Sequence, residues 1–160
     1  MKGQHQYKLT VTWTGNKGKG TSDYNSYDRS HVISAEHKTG IFGSSDPSFK
    51  GDKTKYNPEE LLVASLSTCH MLWFLHLCSS AGVVVTNYID HASGTMVENP
   101  DGGGYFKEVT LYPEVTVTDE AMISTANSLH HQANKMCFIA NSCNFPVNHQ
   151  PTCSATSVPT

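Results

Sequence analysis

Arginine is nearly absent from this chain: Arg29 is the only one, and lysine supplies the other ten of the eleven basic side chains. Charged residues make up only 16% of the chain, the formal net charge is -3, and the lysines are scattered, so a polyanion such as nucleic acid has no electrostatic footprint to bind. No Cys-x-x-Cys pair occurs among the five cysteines, 69, 78, 137, 143 and 153, which argues against a zinc ribbon, and their odd number argues against a closed disulfide framework. Near the start, Met1 to Lys8 lacks the apolar core of a signal peptide. An intracellular, cytoplasmic protein with reduced thiols is the expectation. Neither internal repeats nor a linker interrupts the 160 residues, so the expectation is a single domain over 1–160 that buries a core without disulfides or metal.

What the chain does contain is one long apolar helix signal. Asn57 is an N-cap residue, Pro58 suits the first helical position, and Glu59 and Glu60 stand in the positive first turn, with Glu60 placed to close a capping box. Gly82 suits the left-handed C-terminal position, so the helix should run for about 24 residues and about 36 Å. Apolar residues fall on nearly every side of it, as in an enclosed core helix. Ser65, Ser67, Thr68, His70 and His76 break the apolar residues into runs far shorter than the roughly 18 to 20 of a membrane span.

Around that helix the chain alternates between strands and turns. Tyr7 to Trp13 has the period-two pattern of a half-buried strand, a glycine-rich turn follows, and Arg29 to His37 reads as a second strand with Arg29 at its start. Residues 40–56 form a long Gly, Ser, Asp and Pro loop of the kind that covers sites. Val83 to Ala92 running on through Gly94 to Val97, Tyr105 to Tyr112 and Val115 to Val117 predict an antiparallel meander. A second helix should start at Thr118 or Asp119. Met122, Ala126, Leu129, Ala133, Met136, Cys137 and Ala140 recur at helical spacing, with His130 and Asn134 beside that stripe. It should stop by Asn144–Pro146, leaving one short strand near Val147 and a loose Thr/Ser/Pro end.

Three chemistries compete for these residues. Cys69 and Cys137 form a redox pair if a cation such as Arg29 lowers a thiol from its usual value of about 8.5, with Glu59 as a partner for Arg29. Against this stands the ordinary role of buried cysteine as a small inert hydrophobe, and of a lone arginine as a surface ion pair. A metal site drawn from His130, His131, Cys137, Cys143, His149 and Cys153 has suitable donors at irregular spacing. A cysteine hydrolase would need a base, yet His70 lies about 100° around the helix from Cys69 and His76 about two turns along.

Asn57-Pro58-Glu59-Glu60-Leu61-Leu62 followed by Ser67-Thr68-Cys69-His70-Met71-Leu72, with a later helix reaching Cys137, resembles the OsmC/Ohr family of peroxide-reducing proteins, in its OsmC-like branch. The resemblance implies an α+β fold of antiparallel sheets with a long buried central helix and a second helix, in an intertwined homodimer with two sites at the subunit interface. It places the reactive cysteine at Cys69, the resolving cysteine at Cys137, the arginine at Arg29 and its carboxylate partner at Glu59. Phe138 stands where many members have proline, which leaves Cys143 and Cys78 as alternative resolving thiols. Trp73 and Phe74 would make the substrate pocket apolar, or serve only as core. The implied activity is dithiol-dependent reduction of organic hydroperoxides, with hydrogen peroxide as a further substrate. The implied reductant is a small or protein-bound dithiol of lipoyl type, with no metal, flavin or haem. A thiol-based peroxide sensor and a ligand-binding member of the same fold are the alternatives to an enzyme.

Overall fold

In the computed structural model, which describes residues 3–156, the chain divides into two compact units, Met1–Leu61 and Leu62–Thr160. Each unit is antiparallel in its main pairings, for reasons local to its sequence.

The first unit is a three-stranded sheet of β1 (Thr10–Trp13), β2 (His31–Ser34) and β3 (Ile41–Gly43), in that order. Val11 opposes Ile33 and Val32 opposes Phe42. The alternation in β1 predicts one buried face, but all four of its residues are exposed, Val11 at 59% and Trp13 at 43%, as is Phe42 at 65%. Val11 and Trp13 lie on one face of the sheet and Phe42 on the other, so apolar side chains are exposed on both faces. The predicted 40–56 loop begins instead with β3, which its pairing with β2 draws into the sheet, and the stretch after it is ordered by local bonds. Asp46 caps a short 3-10 turn, Pro47–Phe49, by accepting from the Ser48 amide, and Asp52 accepts from the amide and hydroxyl of Thr54.

Helix α1 (Pro58–Ser80) starts as its capping residues predict: the Glu60 amide donates to Asn57 Oδ1 at 2.8 Å and the Asn57 amide to Glu60 Oε2 at 3.0 Å. It ends at Gly82, whose φ of 73° lets the Val83 amide turn back to the Cys78 carbonyl. Its burial differs from the prediction of a helix enclosed on all sides. Only Leu66, His70, Phe74 and Cys78 are buried, a single stripe at a spacing of four. By length and average hydropathy α1 is apolar enough to cross a bilayer. Its stripe packs on the strands and the second helix, with Leu66 in one core cluster and Phe74 and Cys78 in another.

The second unit pairs β4 (Val85–Asp90) with β7 (Pro113–Val117) and β5 (Ser93–Glu98) with β6 (Gly104–Leu111). The predicted meander is therefore one long hairpin, 85–98 against 104–117, bent at its middle. Asp90 sits at the bend, where its carboxylate accepts from the Tyr112 amide at 2.7 Å and from Ser67 of α1 at 2.5 Å. Two strands then add in parallel: β8 (Val147–His149) on β6 and β9 (Thr152–Ala155) on β7. The short strand near Val147 was predicted; β9 falls where a loose end was expected, and residues 157–160 of that end lie outside the described residues. Gly94 allows α1 to sit close on β5, since a Cβ there would lie 2.9 Å from Val63 Cγ2 and 2.8 Å from the Phe106 ring.

Helix α2 (Ile123–Met136) follows a 3-10 turn that Asp119 caps through the Ala121 amide. It is shorter than the periodicity implied. Cys137 is its C-cap, with extended backbone at φ -66° and ψ 110°, and Ala140–Ser142 forms a separate 3-10 turn. His130, predicted to lie beside the apolar stripe, is fully buried in it. Phe74, Cys78, Val115, Val117, Ala126 and Ala133 make one core, and Leu66, Val109 and Leu111 make a second.

Candidate active site

Cys69 sits at the middle of α1, one position from the buried stripe and so partly exposed. It opens on a cleft of about 560 Å³. Leu72 and Trp73 of α1 form one wall; Phe138 and Ile139, just past α2, form the other. Trp73 and Phe138 meet edge to face across it, with centroids 5.6 Å apart. The two hydroxyls in the cleft are turned away from solutes, since Ser65 donates to the Leu62 carbonyl and Thr68 to that of Ala64. What remains on an otherwise apolar surface is the Cys69 thiol and the His76 imidazole.

Cys137 is buried and reduced, with its thiol beside that of Cys69. Burial first, and then the neighbouring Cys69 thiol, push its pKa up to about 11. Its sulfur accepts from the Ala140 amide at 3.4 Å. The helix stops at Met136, and the extended ψ at Cys137 carries the residues after it, Phe138 and Ile139, off the helical path to form the cleft wall. Cys143 donates to the Ile139 carbonyl, and Cys78 is buried in the core near Cys153. Burial also pushes the Cys78 thiol up to about 11.

Two expectations about neighbouring groups need correction. Phe74 is not a wall of the cleft; it is fully buried in the core and stacks on His130 at a centroid distance of 3.9 Å. Nor does Arg29 pair with Glu59. Its guanidinium donates to the carbonyls of Tyr27 at 2.7 Å and Tyr24 at 2.9 Å, and its central carbon lies 4.2 Å from the centre of each of those rings. Two π faces and two carbonyls of the same loop satisfy the cation more locally than a carboxylate on α1 can. Glu59 keeps a buried carboxylate oxygen with no hydrogen-bond partner among the described residues. Phe138, Ile139, Leu72 and His76 were not predicted as cleft residues. Phe138 alone carried a signal, as a large aromatic where proline was expected.

A buried neutral histidine pair lies behind the thiols. His70 Nε2 and His130 Nδ1 are 3.0 Å apart with nearly parallel rings, and His149 on β8 tilts against His70 at 5.5 Å. Burial is the main reason that His70 falls to about 4 and His130 to about 3.

A mixed α+β chain that brings a partly exposed cysteine in an apolar cleft against a buried second thiol defines a class of thiol proteins. The OsmC-like protein family matches residues 51–151, and the chain belongs to that family. An OsmC-like protein of unknown function from Vibrio cholerae O1 biovar eltor is 30% identical, with 93% of this chain and 100% of that one covered and a TM-score of 0.83. Organic hydroperoxide resistance proteins from Elizabethkingia anophelis and Legionella pneumophila share the fold. The first is 18% identical over 96% of this chain and 99% of its own, with a TM-score of 0.66. The second is 14% identical over 94% and 99%, with a TM-score of 0.63. No curated protein matches the chain.

Proposed function

We propose that this protein is a thiol-dependent peroxidase that reduces organic hydroperoxides, with hydrogen peroxide as a poorer substrate. The observation that carries the reading is the unequal pair of thiols: Cys69 opens on an apolar cleft, and Cys137 waits buried and protonated beside it. Organic hydroperoxide resistance proteins of the same fold support it at the level of family.

In this reading the Cys69 thiolate attacks one peroxide oxygen. An S–O bond forms, the O–O bond breaks, and the alkoxide leaves with a proton as alcohol, so Cys69 becomes a sulfenic acid. The Cys137 sulfur then attacks the Cys69 sulfur; an S–S bond forms and hydroxide leaves with the Cys137 proton as water. The high pKa of Cys137 suits this order, because its proton is retained until the leaving group needs it. A dithiol, of lipoyl type and free or protein-bound, returns two electrons and regenerates both thiols. Trp73 and Phe138 exclude water and hold the alkyl part of the substrate.

Arg29, held by the carbonyls and rings of its own loop, enters the reading as the cation that stabilises the thiolate, and Glu59 as a separate carboxylate of the site. The unpartnered oxygen of Glu59 supports a donor arriving there when the site is complete. A homodimer completes it, and the uncovered apolar residues Val11, Trp13 and Phe42 support a second copy as their cover. A cytoplasmic site, where dithiol reductants are maintained, fits the reduced cysteines.

Consumption of an alkyl hydroperoxide by the purified protein with excess dithiol tests the reading. Many turnovers per protein are expected, with a monothiol less effective than a dithiol. Wild-type protein that titrates a single equivalent and stops is a sensor, and protein that consumes none is a binding protein.

A further inference from the structure

The His70–His130 contact is the one hydrogen bond that joins α1 to α2 among the described residues. Both rings are essentially fully buried, and the bond leaves His70 Nδ1 and His130 Nε2 buried without partners. Such a pair is a poor way to stabilise a core. Two apolar side chains of the same shape would fill the space without two orphaned nitrogens, each of which carries an unreturned desolvation cost. What a hydrogen bond adds and an apolar contact lacks is direction and a fixed length.

The placement of the two histidines says what that direction controls. His70 follows Cys69 directly on α1. His130 lies seven residues before Cys137, two turns of α2, hence on the same face and about 10.5 Å along the axis. The two helices therefore meet at two points, the imidazole pair and the thiol pair, which lie about 100° apart around α1. A rotation of α1 about its own axis by about 20° would carry a side-chain tip, about 5.5 Å from that axis, through about 2 Å. Cβ, nearer the axis, moves through about 1 Å, as much as the whole range of Cβ separation, about 3.5–4.5 Å, that a disulfide accepts. Phe74 lies flat on His130, and small Ala133 stands between His130 and Cys137, so the contacts flanking the imidazole pair are apolar and carry no directional bond. His149, facing His70 from β8, makes no hydrogen bond with either ring.

We propose that His70 and His130 are positioning residues: their hydrogen bond sets the rotation of α1 against α2 and so holds Cys69 and Cys137 within disulfide reach. Both rings stay neutral at physiological pH, so one donates an N–H to the unprotonated nitrogen of the other. The proposal rests on the reading of Cys69 and Cys137 as a disulfide-forming pair, and is separable from peroxide chemistry.

The experiment equilibrates full-length protein with glutathione buffers, in which two protein thiols and one glutathione disulfide give the protein disulfide and two glutathiones. No peroxide is present, so the equilibrium constant reads thiol alignment alone. The variants are H130N, whose amide stands where Nδ1 stood and keeps the bond; H130Q, whose amide lies one bond further out; and the double apolar variant H70L/H130L. H130N is expected within about threefold of wild type, and H130Q and H70L/H130L at least about tenfold lower, since a misplacement on the order of 1 Å is costly at a reacting pair. H70L/H130L is also expected to melt no lower than wild type, which separates alignment from stability. Equal constants for H130N and H130Q overturn the proposal even if the double variant does not fold. A wild-type protein that forms no disulfide overturns the paired-thiol reading and the proposal together.

Discussion

Phe138 stands edge to face with Trp73, the ring planes at 81°, so that the residue after the buried thiol closes the cleft in front of the exposed one. The wall of the cleft and the placement of Cys137 thus come from the same turn of chain, where α2 stops.

Phe138 is 68% exposed, so its loss empties the cleft wall with little cost to the core. Phe138→Ala is expected to raise KM for a bulky apolar hydroperoxide about tenfold, to leave hydrogen peroxide nearly unaffected, and to shift the melting temperature little. Steady-state kinetics on the two substrates checks this. An equal loss on both would assign Phe138 to the chemistry and not to binding.

The two cysteines separate the two halves of the cycle. Cys69→Ser should abolish hydroperoxide consumption, a loss of at least about a thousandfold. Cys137→Ser should instead permit one fast oxidation and then stall at a sulfenic acid, detectable as a mass increase of one oxygen or by a dimedone adduct. Retained turnover in Cys69→Ser would move the nucleophile elsewhere. Retained dithiol-driven turnover in Cys137→Ser would point to Cys143, Cys78 or direct reduction.

Acid should weaken the fold before the carboxylates titrate. His70 and His130 have folded pKa values of about 4 and about 3, below the unfolded value of 6.5, so the unfolded chain binds the extra protons. Their neutral burial costs nothing above about pH 6.5, and stability falls as the pH drops from there toward about 4. At pH 5 the loss is on the order of 2 kcal/mol for each histidine. Urea unfolding between pH 7.5 and pH 5 measures it, and H70L/H130L should flatten the dependence. A wild-type stability that is level over that range would contradict the burial of these rings.

The capping box at the start of α1 is a local stabiliser. Asn57→Ala removes the acceptor of the Glu60 amide and strands the Glu60 carboxylate, and should lower unfolding free energy by about 1–2 kcal/mol without altering the thiol equilibrium. Asn57→Asp, which keeps an acceptor, should recover most of it. Chemical denaturation of the three proteins compares them directly.

Much of this arrangement is legible in the chain because it is local. The Asn57–Glu60 box, the Gly82 terminus and the turn at 99–104 depend on neighbours a few residues apart, and short-range hydrogen bonds and backbone preferences decide them. Family resemblance in the residues around Cys69 supplied the fold class. Periodicity was less informative where an element ended. Cys137 continues the helical spacing of α2 yet adopts an extended backbone, because the contacts of the C-cap residue are tertiary and leave no mark in a period. The same limit explains Phe74, which has an aromatic's composition signal for a pocket but a helical phase that points into the core.

The sequence by itself determined that two thiols would lie on or near two helices and that the longer helix would begin at Asn57. Only the tertiary structure decided which surfaces those helices present to each other. Cys69 lies one position off the buried stripe and opens on a cleft, Cys137 is buried at the residue where the second helix stops, and two distant histidines meet at 3.0 Å. Arg29 likewise is fixed by the Tyr24 and Tyr27 rings of its own loop, since carbonyls and π faces a few residues away meet a cation at a smaller entropic cost than a carboxylate thirty residues on. Contacts between residues sixty apart depend on packing of whole elements, and no local pattern encodes them.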